Sequence, residues 1–147
     1  MSAKTQSKAN LAEKNEVKEG DIPISKMSDE QLHEKGILIA CTYLEKRGYE
    51  LKFDCSGRVF DVVAMDKDTA VLISVSARRI SKTSNEFPPL DITPEMVVDF
   101  KRALDLYMLT HPYVDNARFD AISINMFDDN LTVGLRHLIG AADVSRD

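Results

Sequence analysis

Apolar residues along this chain change period several times, and the changes mark out its elements. Leu32, Gly36, Ile37, Ala40, Cys41 and Leu44 recur at helical spacing until Gly48, which predicts a first helix with one buried face. Ser28-Asp29-Glu30-Gln31 precedes it as a capping box, because the Ser and Gln side chains can satisfy the orphan backbone groups of the first turn. Tyr49 to Phe53, Val59 to Met65 and Val71 to Ala77 then read as short β segments, the last two joined by the polar turn Asp66-Lys67-Asp68-Thr69. A three-stranded meander is expected there. After a polar loop from Ser81 to Pro89, Thr93-Pro94-Glu95 supplies an N-cap, a first-turn proline and an acid that suits the helix dipole. The second helix runs from there to Pro112. Arg118 to Met126 alternates as a strand, Asp128-Asp129-Asn130 turns the chain, and Leu131 to Leu138 alternates again. The expected order is α-β-β-β-α-β-β, an α/β domain with a mixed sheet.

The first 27 residues hold Lys4, Lys8, Lys14, Lys18 and Lys26 against Glu13, Glu16, Glu19 and Asp21, with few large apolar groups. Such a segment reads as a disordered Lys-rich leader. It carries +1, so the rest of the chain carries −6 of the total −5; the domain is expected over residues 28–142, and residues 143–147 read as a short polar tail. An acidic domain excludes nucleic-acid binding over the whole surface, since phosphate contact rests on clustered Lys and Arg. Any such contact must be local.

Cys41 and Cys55 are the only cysteines, without metal-ligand spacing around them, so neither a disulfide framework nor a zinc site is suggested. No apolar run approaches the roughly 20 residues that span a bilayer. A cytoplasmic protein without a membrane partner is the expectation.

Several separate blocks carry a family resemblance. Gly36, Ala40, Tyr43-Leu44 and Gly48-Tyr49 stand in the first helix and its exit, Gly57 to Ala64 in the second strand, and Leu72 to Arg78 in the third. Ile92-Thr93-Pro94-Glu95-Met96 opens the second helix, and Arg118-Phe119-Asp120 and His137 come late. In this order and spacing the chain resembles the YraN family of small bacterial proteins over about residues 33–142. The resemblance implies a restriction-endonuclease-like (tRNA-endonuclease-like) three-layer core of the PD-(D/E)xK kind, in which an Asp on one strand and an acidic-x-Lys triplet on the next converge on a metal ion. Here Asp61 is kept, while Ser74 and Ser76 occupy the Glu and Lys positions of the triplet. Ile37 stands where the first helix usually carries Glu, and Met96 where the second usually carries Lys.

With Asp61 as the one retained carboxylate, a metal site is poorly served, and no cofactor is expected; Mg²⁺ or Mn²⁺ enters only if nuclease activity persists. A relocated site would draw a carboxylate from Glu95 or Asp99 and a cation from Lys101, Arg78 or Lys82. Asp61 alternatively satisfies backbone donors or pairs with Arg78. Arg118 and Asp120 read as a structural ion pair or cap, His137 as a core or groove histidine, and His33 and His111 as residues without a matching ligand. The basic residues Arg58, Arg78, Arg79, Lys82 and Lys101 mark a cleft that could hold DNA or RNA. The resulting expectation is a pseudonuclease that binds nucleic acid without cutting it. The alternatives are a weak metal-dependent endonuclease and a protein-interaction module, including a homodimer.

Overall fold

A computed structural model describes residues 22–52, 59–81, 92–129 and 132–145. The expected order of elements is present: α1 (Asp29–Lys46), β1 (Glu50–Lys52), β2 (Val62–Asp66), β3 (Thr69–Ile80), α2 (Pro94–Thr110), β4 (Asn116–Phe127) and β5 (Val133–Ser145). Ser28 caps α1, its Oγ accepting from the Gln31 amide at 3.1 Å while Gln31 Oε1 accepts from the Ser28 amide at 2.9 Å. Thr93 caps α2 in the same way, accepting from the Met96 amide at 3.2 Å. Both helices therefore begin where their capping residues predict.

The five strands form one mixed sheet in the order β1-β2-β3-β4-β5. β1, β2 and β3 are the antiparallel meander, β3 and β4 run parallel, and β4 and β5 are antiparallel. A parallel pair needs a crossover, and α2 supplies it. Asp66 pairs with Thr69 across a tight turn in which Lys67 takes a left-handed φ of 58°. Ile73, Val75, Ile122 and Ile124 point to α1, whereas Leu72, Ala117 and Phe119 point to Phe100 and Leu104 of α2. One helix thus covers each face, as the period-2 alternation of strand side chains requires.

The ends differ from the sequence reading. β5 continues to Ser145, which pairs with Asn116, so residues 143–145 belong to the sheet and not to a polar tail. Inside the expected disordered leader, Ile24–Lys26 form a 3₁₀ turn with Ile24 buried; residues 1–21 lie outside the described residues. Ile24 finds an apolar neighbour in the α1-side core, which gives this short stretch a reason to order.

α1 lies unusually close to β3. A Cβ at Gly36 would stand 2.8 Å from Ala77 Cβ and within 4 Å of Val75 and Ile124, so the missing side chain lets the helix sit down on the sheet. Ala77 Cβ is fixed to the backbone and cannot yield. Gly36→Ala should therefore lift α1 and lower unfolding stability by about 1–3 kcal/mol, despite alanine's better helix propensity. Urea unfolding checks this, and a variant as stable as the parent contradicts the close approach.

Candidate functional site

Asp61 stands just before β2, across from the middle of β3. Its amide donates to the Ile73 carbonyl at 2.8 Å, and its Oδ2 accepts from the Val75 amide at 2.8 Å. Its Oδ1 lies 2.9 Å from His33 Nε2, on the first turns of α1. The carboxylate so satisfies a backbone donor, one of the roles anticipated for it, and its ring partner is His33 and not Arg78. His33, anticipated to lack a matching ligand, has one. His33 sits one helical turn before Ile37, so the two share a face of α1. That spacing is the signal in the sequence that could have found the pair.

The antiparallel register begins at Val62↔Ile73, and Asp61 precedes it with its amide on the Ile73 carbonyl and its carboxylate on the Val75 amide. Ser74, Ser76 and Arg78 follow one another on the same side of β3 as Leu72, the side that α2 covers further back. Ser74 is half-buried, and Ser76 and Arg78 are exposed. Arg79 turns the other way. Its Nε donates to the Ile24 carbonyl at 2.9 Å and its Nη2 to the Met27 carbonyl, tying the 3₁₀ turn to the sheet edge. Pleating thus separates two arginines that are adjacent in sequence. Lys101 is exposed on α2, and Arg58 and Lys82 lie outside the described residues.

This donor set does not fit a Mg²⁺ site. Both Asp61 oxygens already accept hydrogen bonds, Ser74 offers only a neutral oxygen, and among the described residues no three His, Cys, Asp or Glu side chains cluster as metal ligands. Glu95 and Asp99 therefore do not join Asp61 in a described ligand cluster.

A second polar group lies on the α1 side of β4. Asp120 is fully buried and accepts from Arg118 Nε (3.0 Å), Arg118 Nη2 (3.3 Å), His137 Nε2 (2.8 Å) and the Gly140 amide (2.9 Å). Arg118 also donates to Asp66 at 3.0 Å and to the Tyr49 hydroxyl at 2.8 Å, and His137 Nδ1 lies 2.8 Å from the Tyr43 hydroxyl. An ionised carboxylate only accepts, so His137 carries its proton on Nε2. The Gly140 amide reaches Asp120 because the β4–β5 register jumps between Phe119↔Ala142 and Ala121↔Leu138, with Gly140 at φ 78° inside the irregularity. The expected structural ion pair of Arg118 and Asp120 is present, within a larger network, and His137 is a core residue.

Burial alone would raise the Asp120 carboxyl, but hydrogen bonds from His137, Arg118 and the Gly140 amide outweigh it and hold the group below its ordinary value. Burial likewise works against the Arg118 charge, and the bonds to Asp120 and Asp66 raise its pKa above the usual arginine value. A depressed carboxyl contributes stability that is complete above its unfolded value of about 3.9 and disappears as pH falls through the lower folded value. Unfolding free energy should accordingly drop in that acidic range, and Asp120→Asn should lack this component of the drop. Arg118→Met strands the buried Asp120 charge and should cost about 3–5 kcal/mol at neutral pH. Denaturant titrations at pH 7 and near pH 3 test both, and an acid profile unchanged in Asp120→Asn contradicts the assignment.

Helix, meander, crossover helix and hairpin around a strand-end Asp, with a buried Arg-Asp-His network behind it, define a small mixed α/β protein. No protein-family model matches the chain. Curated relatives do. A UPF0102 protein of Syntrophus aciditrophicus is 30% identical over 105 residues, covering 68% of this chain and 80% of the relative. UPF0102 proteins of Geobacter sulfurreducens and Geobacter metallireducens are 29% and 33% identical, covering 76% and 67% of this chain and 88% and 82% of their own lengths. The chain belongs to the UPF0102 family, which is the YraN family.

Proposed function

We propose that this protein is a restriction-endonuclease-like pseudonuclease that binds DNA or RNA without cutting it. The observation that carries the reading is the state of Asp61. Its oxygens accept from His33 and Val75, in the place where the family resemblance puts a metal-binding carboxylate. The neighbouring Ser74 and Ser76 replace a second carboxylate and a lysine, so the site lacks the charges needed to hold Mg²⁺ and to offset a developing negative charge. The order α-β-β-β-α-β-β and the mixed sheet support the restriction-endonuclease-like assignment.

Arg78, exposed beside Ser76, is the cation this reading relies on for phosphate contact, and a guanidinium fork suits a phosphate. Arg58, Lys82 and Lys101 complete the proposed contact set. Among the described residues no helix is long and apolar enough to cross a membrane, and a cytoplasmic location fits the reading.

Fluorescence anisotropy with labelled single-stranded and duplex DNA and RNA over a salt series tests the binding. Affinity should fall with salt, and Arg78→Ala should weaken binding and lower the magnitude of the log–log slope by about 0.7–1. Arg79→Ala, which unties the Ile24–Lys26 turn, should reduce stability and leave the slope unchanged. Binding to none of these nucleic acids contradicts the proposal and favours a protein partner.

A further inference from the structure

The α2-facing side of the sheet changes character along the parallel pair. Toward the start of β3 and β4 it is apolar, with Ala70, Leu72, Ala117 and Phe119 under α2. Toward their ends it carries Ser74, Ser76 and Arg78 on β3, and Ser123 and Asn125 on β4. On the opposite side the same stretch of the strands is apolar, through Ile73, Val75, Ile122, Ile124 and Met126, and the Arg118–Asp120 pair lies nearer the start of β4. A polar floor at the C-terminal ends of parallel strands is where open α/β sheets receive ligands.

Asn125 is the anomalous group on this floor. It is 0% exposed, and among the described residues its Nδ2 and Oδ1 both lack a hydrogen-bond partner. A buried donor and acceptor left unpaired are a standing cost to folding, and buried side-chain amides are otherwise almost always satisfied. Register places Arg78 beside Asn125 on one neighbouring strand and Gly134, which has no side chain, on the other. Ser76 pairs in the same way with Ser123, and Ser76 and Arg78 are exposed, so the floor opens at β3 and closes toward β4.

A side-chain amide presents a donor and an acceptor side by side, and a nucleobase edge presents the complement; the Asn pairing with adenine N6 and N7 is the best-fitting case. Adjacent strands are about 4.8 Å apart, so a cation on β3 and an amide on β4 match a phosphate and the base next to it. We propose that Asn125 reads an unpaired base, adenine by preference, of a strand whose backbone phosphate lies on Arg78. The inference rests on the nucleic-acid reading above and adds a base-reading site to it. Because Asn125 is closed to solvent, the base enters from the open β3 side in a step that rearranges the floor.

The test measures anisotropy of labelled twelve-nucleotide strands of A, T or C with the full chain. The parent should bind the adenine strand roughly tenfold tighter than the thymine strand. Asn125→Leu, close in volume and free of orphan polar atoms, should melt at the same temperature or higher and lose the preference while keeping salt-dependent binding. Asn125→Ser, which retains a small polar group, should lose the preference as well. Arg78→Ala should weaken all strands alike and keep the adenine preference. Salt-dependent binding without base preference, or a preference kept in both Asn125 variants, overturns this inference and leaves the nucleic-acid reading standing. No binding of any strand by the parent overturns the nucleic-acid reading, and this inference with it.

Discussion

A single buried carboxylate organises this molecule. Asp120 has no exposed surface, and an ion removed from water is tolerable only when its lone pairs are all spoken for. Satisfying it recruits Arg118 from its own strand and His137 and Gly140 from β5. Through those partners it reaches Tyr43 at the end of α1, Tyr49 at the entry to β1 and Asp66 at the β2–β3 turn. The irregular β4–β5 register and the left-handed Gly140 follow from the same demand, since they aim the Gly140 amide at the carboxylate. Apolar packing holds each helix to its face. The Asp120 network fixes how the helix, the meander and the hairpin meet on the α1 side.

That scaffold determines what the strand end can do. With α1 seated on β3 through Gly36, the first turns of α1 lie beside the start of β2, and His33 comes within hydrogen-bonding distance of Asp61. The carboxylate is thereby used in structure, bridging helix and strand. On the other side of the sheet α2 covers only the first half of the parallel pair, and the second half is polar. Structural and proposed binding groups are thus sorted onto opposite faces by the alternation of strand side chains.

Much of this was legible in the sequence, for definable reasons. Ser28 and Thr93 announced both helices because capping is local chemistry, and the alternating runs announced the strands because a two-residue period is a local property. The order and spacing of the family blocks around Tyr43, Asp61, Asp120 and His137 carried the family. Less visible was anything that depends on which strands become neighbours. β5 extends to Ser145 because Asn116 and its neighbours offer it a partner, which the polar composition of the last residues hides. The pairing of His33 with Asp61 joins residues 28 positions apart. Arg78 and Arg79 look like one basic cluster in a string of letters, and the pleat sends one to the proposed cleft and the other to backbone carbonyls. Asn125 read as an ordinary polar position of an alternating strand, and only its burial without partners among the described residues sets it apart.

The central claim, that Asp61 is held in a structural role and the strand end binds without cutting, is tested most directly by incubating the protein and its Asp61→Ala variant with branched, single-stranded and duplex DNA and RNA in Mg²⁺ or Mn²⁺. Retained complex and cleavage are read on the same gels. The account predicts retained complex and intact strands for the parent in both metals. Cleavage by the parent that Asp61→Ala abolishes would contradict it.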